Sequence, residues 1–325
     1  VDGSSIALTL QDGSVTNGEV TGSFGSDTFN VSSGADITGA TFDGNQGTDA
    51  INLVGSTANT LDLATVTDIE SINKSGSSTW TLSNTGGAFG GVFSVSAGTL
   101  TVDAAGIFGA TNAISITGGT LDLNGFSQTV GALSGAGGTI ALGAGVLTVD
   151  SASNTVLASV IDGSGGLVKQ GSGSLTLSGA STYTGGTTLN AGTLLVGVSS
   201  VGGPGAVTSS AIGTGMLDMT GGTLGAAGNF TLSNDILVTA GSDLKVDTGS
   251  NALILDGSIF FGATEGVSKS GSGILVVATQ LNNSGDTVVS AGTLRASGAT
   301  IFSPNSNFTV SSGATLNLGG NDQDI

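Results

Sequence analysis

Short runs in which apolar and polar residues alternate recur along the whole chain. Thr99–Val102 reads TLTV, Thr120–Leu123 reads TLDL and Thr193–Val196 reads TLLV, and Gly, Ser, Asn or Asp separates such runs every few residues. Alternation with a period of two places one set of side chains on each face of a β-strand. The small residues between the runs favour turns. The pattern therefore predicts many short strands whose apolar face turns inward.

The same phrases also return at long intervals. Lys74, Lys169 and Lys269 open similar sequences, and the Gly of an AGTL phrase follows each of them after 24, 23 and 23 residues. The first and third Lys are 195 residues apart, and TLDLNGFSQTV from Thr120 and TLNLGGNDQDI from Thr315 keep the same offset. Self-similarity of this kind is the signature of a repeat architecture.

A spacing of roughly 20–24 residues between phrases fits one coil of three short strands. Such a unit cannot bury its apolar face alone and must stack on its neighbours. We therefore predict an all-β fold, a parallel β-helix (solenoid) of about 15 coils. A β-sandwich or a barrel is the alternative, but those folds have shorter hairpin spacing and more regular Asn-Gly or Asp-Gly turns.

The whole chain is expected to form a single β-helix in which two parts differ in sequence. Residues 1–66 form N-terminal coils with two Asp-containing turns, and residues 67–325 form three repeat units, of which the last is truncated. The middle unit has an extra stretch, VSSVGGPGA around Pro204, and an insertion of this size belongs in a loop at a corner of a coil. We expect protruding loops at Val198–Ser210 and Gly262–Lys269.

Composition agrees with an all-β protein and restricts its partners. Gly contributes 59 of the 325 residues, and Lys and Arg together contribute five. The net charge of −18 argues against nucleic acid and against anionic membrane surfaces as partners, and it keeps a long β-protein soluble. No run of about 18 apolar residues occurs, so we expect no membrane helix. Val1 opens without the basic region of a signal peptide.

Missing residue types exclude most catalytic sites. His and Cys are absent, which removes Ser–His–Asp and Cys–His nucleophiles and structural zinc sites. A polysaccharide-degrading β-helix is the enzymatic alternative, and it needs paired carboxylates or a basic residue in a groove. Glu19, Glu70 and Glu265 stand in dissimilar contexts, and Arg295 is the only Arg. We therefore expect no enzymatic activity.

Two N-terminal sequences resemble the calcium-binding nonapeptide of RTX proteins. GSFGSDTFNV contains Asp27 and GNQGTDAINL contains Asp49, and both have the form G-x-x-G-x-D. The two Asp are 22 residues apart, about one coil, and can stack to supply the oxygen ligands that Ca²⁺ takes. RTX arrays repeat every nine residues, however, and the alternative is a turn in which Asp bonds nearby backbone N–H groups. Asp27 and Asp49 are thus candidate calcium ligands, and no other cofactor is expected.

Asn30 and Asn52 occupy equivalent places in these two sequences, again 22 residues apart. Stacked amides can hydrogen-bond to one another along a β-solenoid. We expect a structural Asn ladder here.

The stretch from Val130 to Gly197 closely resembles the autotransporter-associated β-strand repeat. The family pattern is a GLVKxGxGxLTLSG run followed by YTGGTT and NAGTL, and every part is present. SPNSNFTVSSGATLNLGG, from Ser303 onward, looks like another segment that occurs in the passenger domains of autotransporters. The resemblance covers roughly Thr67 to Ile325. The first unit departs most, because it lacks YTGGTT and has Trp80 in the LTLSG run.

The resemblance implies a right-handed parallel β-helix, exported through the outer membrane by a C-terminal translocator barrel and displayed on the bacterial cell surface. That barrel is missing from this sequence, and we expect the chain to continue past Ile325, because GALSGAGG follows the equivalent Val130. The implied function is a structural stalk or passenger segment of an adhesin or virulence-associated autotransporter. The alternative is a binding module, in which the β-helix face itself recognises a host surface protein, a glycan or another copy of the chain.

Overall fold

The computed structural model describes residues 4–84, 89–320 and 322–323. In these residues the chain is all-β and has no α-helix. The strands of successive coils pair in parallel, so the predicted parallel β-solenoid of about 15 coils is confirmed. The two ends for which we made predictions, Val1 and Ile325, lie outside the described residues.

The chain divides into two compact units, Val1–Asp150 and Ser151–Ile325. The predicted division at residues 66 and 67 concerned the start of the repeats, and it stays a prediction. The first unit has a turn of 3-10 helix at Leu63–Thr65, which begins where the Asp62 side chain accepts a hydrogen bond from the Ala64 N–H. Its strands are β1 (Ala7–Leu10), β2 (Gly18–Thr21), β3 (Thr28–Ser32), β4 (Ala40–Asp43), β5 (Ala50–Val54), β6 (Ala58–Asp62), β7 (Val66–Thr67), β8 (Ser71–Lys74), β9 (Thr79–Ser83), β10 (Val92–Val95), β11 (Thr99–Val102), β12 (Ala113–Ile116), β13 (Thr120–Asp122), β14 (Gln128–Val130), β15 (Leu133–Gly135), β16 (Thr139–Ala141) and β17 (Leu147–Asp150).

These strands form the faces of stacked coils. One face runs β1-β3-β5-β8-β10-β12-β15, a second runs β6-β9-β11-β13-β16, and the shorter ones are β2-β4-β7 and β14-β17. Alternation along each strand sends every second side chain into the core. On the first face one inward column contains Phe29, Ile51, Ile72, Phe93 and Ile114, all at most 1% exposed. Each coil thus buries its apolar residues against the equivalent residues of its neighbours.

The second unit repeats this arrangement. Its strands are β18 (Thr155–Leu157), β19 (Val160–Asp162), β20 (Leu167–Gln170), β21 (Ser174–Leu177), β22 (Thr187–Leu189), β23 (Thr193–Val196), β24 (Leu217–Met219), β25 (Thr223–Ala226), β26 (Phe230–Leu232), β27 (Ile236–Val238), β28 (Leu244–Asp247), β29 (Ala252–Leu255), β30 (Ile259–Phe261), β31 (Val267–Ser270), β32 (Ile274–Val277), β33 (Thr287–Val289), β34 (Thr293–Ala296), β35 (Phe308–Val310) and β36 (Thr315–Asn317). The faces run β18-β21-β23-β25-β28-β31-β33-β35, β20-β22-β24-β27-β30 and β26-β29-β32-β34-β36.

Each unit also buries one large aromatic residue that has a polar group. In the first unit, Trp80 on β9 is fully buried, and its indole Nε1–H donates to the Val54 carbonyl at 3.1 Å. In the second unit, Tyr183 is fully buried, and its hydroxyl shares a hydrogen bond with the Thr187 hydroxyl. These partners satisfy polar groups whose burial would otherwise be costly.

Candidate functional site

Asp27 and Asp49 lie at the same corner of two adjacent coils. Each immediately precedes a strand, and β3 pairs with β5 so that Thr28 lies opposite Ala50. The predicted stacking of the two Asp is therefore confirmed, and both side chains are only 1% exposed. Glu70 lies at the same corner of the next coil, immediately before β8. Glu70 was not predicted as part of this corner, although its spacing of 21 residues from Asp49 was a usable signal.

Each of the three carboxylates accepts a hydrogen bond from the backbone of the preceding coil. Asp27 Oδ1 accepts from the Ile6 N–H at 2.7 Å. Asp49 Oδ1 accepts from the Asp27 N–H at 2.6 Å, and Glu70 Oε2 accepts from the Asp49 N–H at 2.6 Å. The alternative interpretation, a turn in which Asp bonds nearby backbone N–H groups, is confirmed for Asp27, which also accepts from the Ser23 N–H. Asp49 accepts only from the N–H of Asp27 on the preceding coil.

The second carboxylate oxygen, Oδ2, has a hydrogen-bond donor in Asp27 but none in Asp49 among the described residues. Asp27 Oδ2 accepts from the Ser23 N–H at 2.5 Å, and the Ser23 hydroxyl lies 2.9 Å from Oδ1 and 3.2 Å from Oδ2 of the same carboxylate. Asn45 takes the place of Ser23 one coil later, but it has a φ of +70°, and its N–H donates instead to Asp43 Oδ1 at 2.9 Å. Asp49 Oδ2 is therefore left buried, without a hydrogen-bond donor among the described residues.

The pKa values of the two Asp residues are also shifted in opposite directions. Burial raises the pKa of Asp49, and the negative charges of Glu70, Asp27 and Asp68 raise it further, against one backbone hydrogen bond that lowers it. Burial also acts to raise the pKa of Asp27, but its backbone and Ser23 hydrogen bonds outweigh burial and leave that pKa lowered. No group of three or more Asp or Glu side chains in the described part of the chain is arranged to hold a metal ion. The calcium role of Asp27 and Asp49 stays a prediction.

The three repeated Lys residues form a second buried feature. All are at most 1% exposed, and each ammonium group donates to three backbone carbonyls, two from the next residues and one from the Ala of the AGTL phrase. A buried charge is costly unless it is hydrogen-bonded, and here the carbonyl oxygens fill that role. Lys74 donates to Ser75, Gly76 and Ala97 (2.8, 3.0 and 3.1 Å), Lys169 to Gln170, Gly171 and Ala191 (2.8, 2.8 and 3.3 Å), and Lys269 to Ser270, Gly271 and Ala291 (2.6, 2.8 and 3.2 Å).

The Gly of each AGTL phrase completes this arrangement. Gly98, Gly192 and Gly292 have φ values of +64°, +69° and +65°, a region that L side chains rarely adopt. A Cβ at Gly192 would lie 2.3 Å from the Gly173 carbonyl oxygen and 2.8 Å from Lys169 Nζ. We call the combination of the buried Lys and this Gly the lysine turn. Both residues recur visibly in the sequence, but no pattern predicted that the Lys would be buried.

The predicted Asn ladder is confirmed on the outer side of β3 and β5. The Asn52 side-chain amide donates to Asn30 Oδ1 at 2.8 Å. It extends beyond the prediction, because Asn73 donates to Asn52 at 3.1 Å and the Ser94 hydroxyl donates to Asn73 at 2.7 Å. The side-chain amides on this face are thus joined from coil to coil.

Of the two predicted loops, only the first is confirmed. Val201 and Ser209 form an antiparallel bridge, and the tip between them is exposed over Val201–Ala206. The second prediction, Gly262–Lys269, is wrong in its C-terminal half. Val267–Ser270 is strand β31, and Lys269 belongs to a lysine turn, so only the residues before Val267 connect strands.

The parallel coils and the recurring lysine turn define the chain as a β-solenoid repeat protein. A family model described as the passenger-associated-transport-repeat matches residues 72–102, 167–196 and 267–296. Each match contains one lysine turn. The chain therefore carries three copies of a repeat found in autotransporter passengers.

Repeats of this kind imply secretion to the cell surface. No curated protein and no solved structure matches the chain. Within the described residues, no helix has the length and apolar character needed to cross a membrane.

Proposed function

We propose that this chain is a structural stalk in the passenger of a surface-exposed autotransporter, which is exported through the outer membrane and has no enzymatic activity of its own. The observation that carries the proposal is the lysine turn. The most distinctive group of the matched repeats, the Lys ammonium, donates to backbone carbonyls inside the coils. The ammonium groups of the repeats therefore join neighbouring coils rather than bind a ligand.

The outer surface supports the same role. The amides of Asn30, Asn52 and Asn73 bond to one another along the stack, so a column of polar side chains is also used between coils. A stalk of this kind holds an adhesive or virulence-associated region away from the cell. In this proposal the partner of the passenger binds elsewhere, and the coils determine only its position.

A repeat exchange in the complete surface-displayed passenger tests the stalk. The segment 167–196 is replaced by the sequence of 267–296, which has the same length and contains its own lysine turn. Surface display, protease resistance and adhesion to host cells are then measured. We expect all three to stay unchanged, because a stalk requires the fold and not the identity of the repeat. Normal display with lost adhesion would contradict the proposal.

A second candidate function rests on the hairpin at Val198–Ser210. Its tip carries an exposed Val201, 56% accessible, on an insertion that only the middle repeat unit has. Such a hairpin suits a binding module for a host surface protein, a glycan or another copy of the chain. Deletion of the five residues 202–206 tests it, with host-cell adhesion and cell aggregation as readouts. Loss of either at unchanged display favours the binding module, and no change favours the stalk.

A further inference from the structure

The hairpin of the middle repeat unit is fixed at its base to the coils on both sides of it. Toward the preceding coil, the backbones of Ser181 and Ser210 exchange two hydrogen bonds, at 2.8 and 3.0 Å. Toward the following coil, the Ser200 N–H donates to the Thr231 carbonyl, and the Ser200 hydroxyl accepts from the Ser233 N–H. A loop that a rigid scaffold positions in this way is suited to binding.

A cleft of about 320 Å³ lies between this hairpin and the coils, which is within the size range of ligand sites. We call it the hairpin cleft, and it is lined by Gly205 and Val207 from the hairpin and by 214–216 and 233–235 from the coils. The buried Asn234 side-chain amide donates to the Gly213 and Gly215 carbonyls at 3.0 and 2.7 Å. These bonds join the two coil segments of the lining, so the wall of the cleft is formed in advance of any ligand.

The hairpin cleft combines an apolar surface with one available carboxylate oxygen. Met216 is 41% exposed, and the half-buried Val207 lines the same cleft. Asp235 Oδ1 accepts a hydrogen bond from the Ser258 N–H at 2.9 Å. Its other oxygen, Oδ2, accepts none from the part of the chain that the structure describes. A ligand that has both an apolar portion and a positive charge therefore fits this lining.

The chain supplies no cation of its own to this charge. Residues 170–244 contain the acidic residues Asp218, Asp235 and Asp243 and no Lys or Arg. A Lys side chain of another protein meets both requirements, because its methylene groups pack on apolar surface while its ammonium stays at a polar one. Arg binds a carboxylate best through both oxygens, and one oxygen of Asp235 is already occupied. The single available oxygen thus favours Lys over Arg.

We propose that the hairpin cleft binds a Lys side chain of a partner protein. The methylene groups contact Met216 and Val207, the ammonium donates to Asp235 Oδ2, and the Thr214 hydroxyl oxygen is a further acceptor in the same lining. The net charge of −18 attracts basic partners over a longer range. The inference rests on the second candidate function, the hairpin as a binding module, and it identifies the group that this module recognises.

Titration of the full chain with the peptide acetyl-Gly-Val-Lys-Val-Gly-amide tests the cleft, with NMR shifts of the backbone amides as the readout. At physiological salt we expect saturable shifts in 203–207 and 214–216, and none with the same peptide acetylated at the Lys ammonium. Asp235→Asn keeps the acceptor for the Ser258 N–H and should weaken binding about fivefold. Asp243→Asn is the matched control, because Asp243 also accepts one N–H, from Gly266 at 2.8 Å, but lies outside the cleft. It should bind the peptide as the parent chain does.

Met216→Ser should also weaken binding, and it serves if Asp235→Asn does not fold. Absence of binding, equal binding of the acetylated peptide, or equal losses in Asp235→Asn and Asp243→Asn would overturn the proposal, the last because it would show a general effect of charge. Deletion of 202–206 separates the two levels of the argument. If the deletion abolishes host-cell adhesion while the parent chain does not bind the Lys peptide, the hairpin is a binding module for another ligand, such as a glycan, and only the Lys site is wrong.

Discussion

The ammonium group of Lys169 donates a hydrogen bond to the backbone carbonyl of Ala191 at 3.3 Å, and so joins β20 to the turn that precedes β23 on the next coil. The same ammonium holds the two carbonyls that follow it in sequence. One side chain thus fixes a turn and also ties that turn to its neighbour. This relationship recurs at Lys74 and Lys269.

Replacement of Lys169 by Met should destabilise the middle repeat by about 2 kcal/mol or more, because three buried carbonyls lose a charged donor. Hydrogen exchange of the segments 167–177 and 187–196 would measure the loss locally. Lys245→Met is the matched control, since Lys245 is exposed on β28, and it should change stability by less than about 0.5 kcal/mol. Equal protection from hydrogen exchange in both variants would show that the lysine turn contributes little to stability.

The buried Lys74 predicts an unusual dependence of stability on pH. Burial lowers its pKa from 10.5 to about 8. Between these values the unfolded chain still binds the proton that the folded chain has released, so the free energy of unfolding should rise with pH. Urea unfolding followed by Trp80 fluorescence at pH 7.5, 9 and 10 would detect the rise, and Lys74→Met should abolish it.

The pH range of this measurement should end at 10. Burial raises the pKa of Tyr183 above its ordinary value of 10.0. Above that pH the unfolded chain loses a proton that the folded chain keeps, so stability falls with pH. Tyr183 lies in the second unit and Trp80 in the first, so the fluorescence signal itself reports the unit of Lys74. A flat or falling stability from pH 7.5 to 10 in that signal would contradict the prediction.

Gly192→Ala should cost about 2–4 kcal/mol, from a positive φ and from the collision of its Cβ with two carbonyls of the preceding coil. Thermal unfolding followed by circular dichroism would measure the change. Gly203 provides the control, because a Cβ there meets nothing within 4 Å. Gly203→Ala should leave the midpoint within the range of a neutral surface change. If both variants melt alike, the tight turn at Gly192 is not a constraint on stability.

Asn52→Ala should reduce the stability of the first unit by about 1 kcal/mol, because it removes the middle member of the amide ladder. Denaturation with urea would report the difference. Ser115 on β12 offers a half-buried, outward-facing control in the same sheet, and Ser115→Ala should be close to neutral. An Asn52 variant as stable as the Ser115 variant would mean that the amides bond equally well to water.

Most of the fold is predictable because the sequence contains both of its periods. These are the two-residue alternation within strands and the spacing of roughly 20–24 residues between coils. Alternation gave the strands, and Thr99–Val102 and Thr193–Val196 are strands β11 and β23 with these bounds. The spacing of the repeated phrases gave the coils. The loop prediction at Gly262–Lys269 was wrong at its end because Val267–Ser270 pairs with β28, a partner that local composition does not indicate.

Of the candidate site, only the stacking of its Asp residues on adjacent coils could be predicted from the sequence. The spacing of Asp27 and Asp49 indicated that they stack, and they do. What separates them is the backbone of Asn45, whose φ of +70° turns a single N–H away from Asp49. That conformation depends on the local fold and not on a residue pattern. The buried Lys residues were also missed, because a Lys is normally exposed and only its carbonyl partners make its burial possible.

The burial of Trp80 in one unit and of Tyr183 in the other has a practical consequence. The chain has one Trp and one Tyr, so each unit carries its own optical probe at a fully enclosed position. Indole emission reports when the first unit opens, and phenol absorbance reports when the second does. The order in which the two units melt can thus be read from a single unlabelled sample.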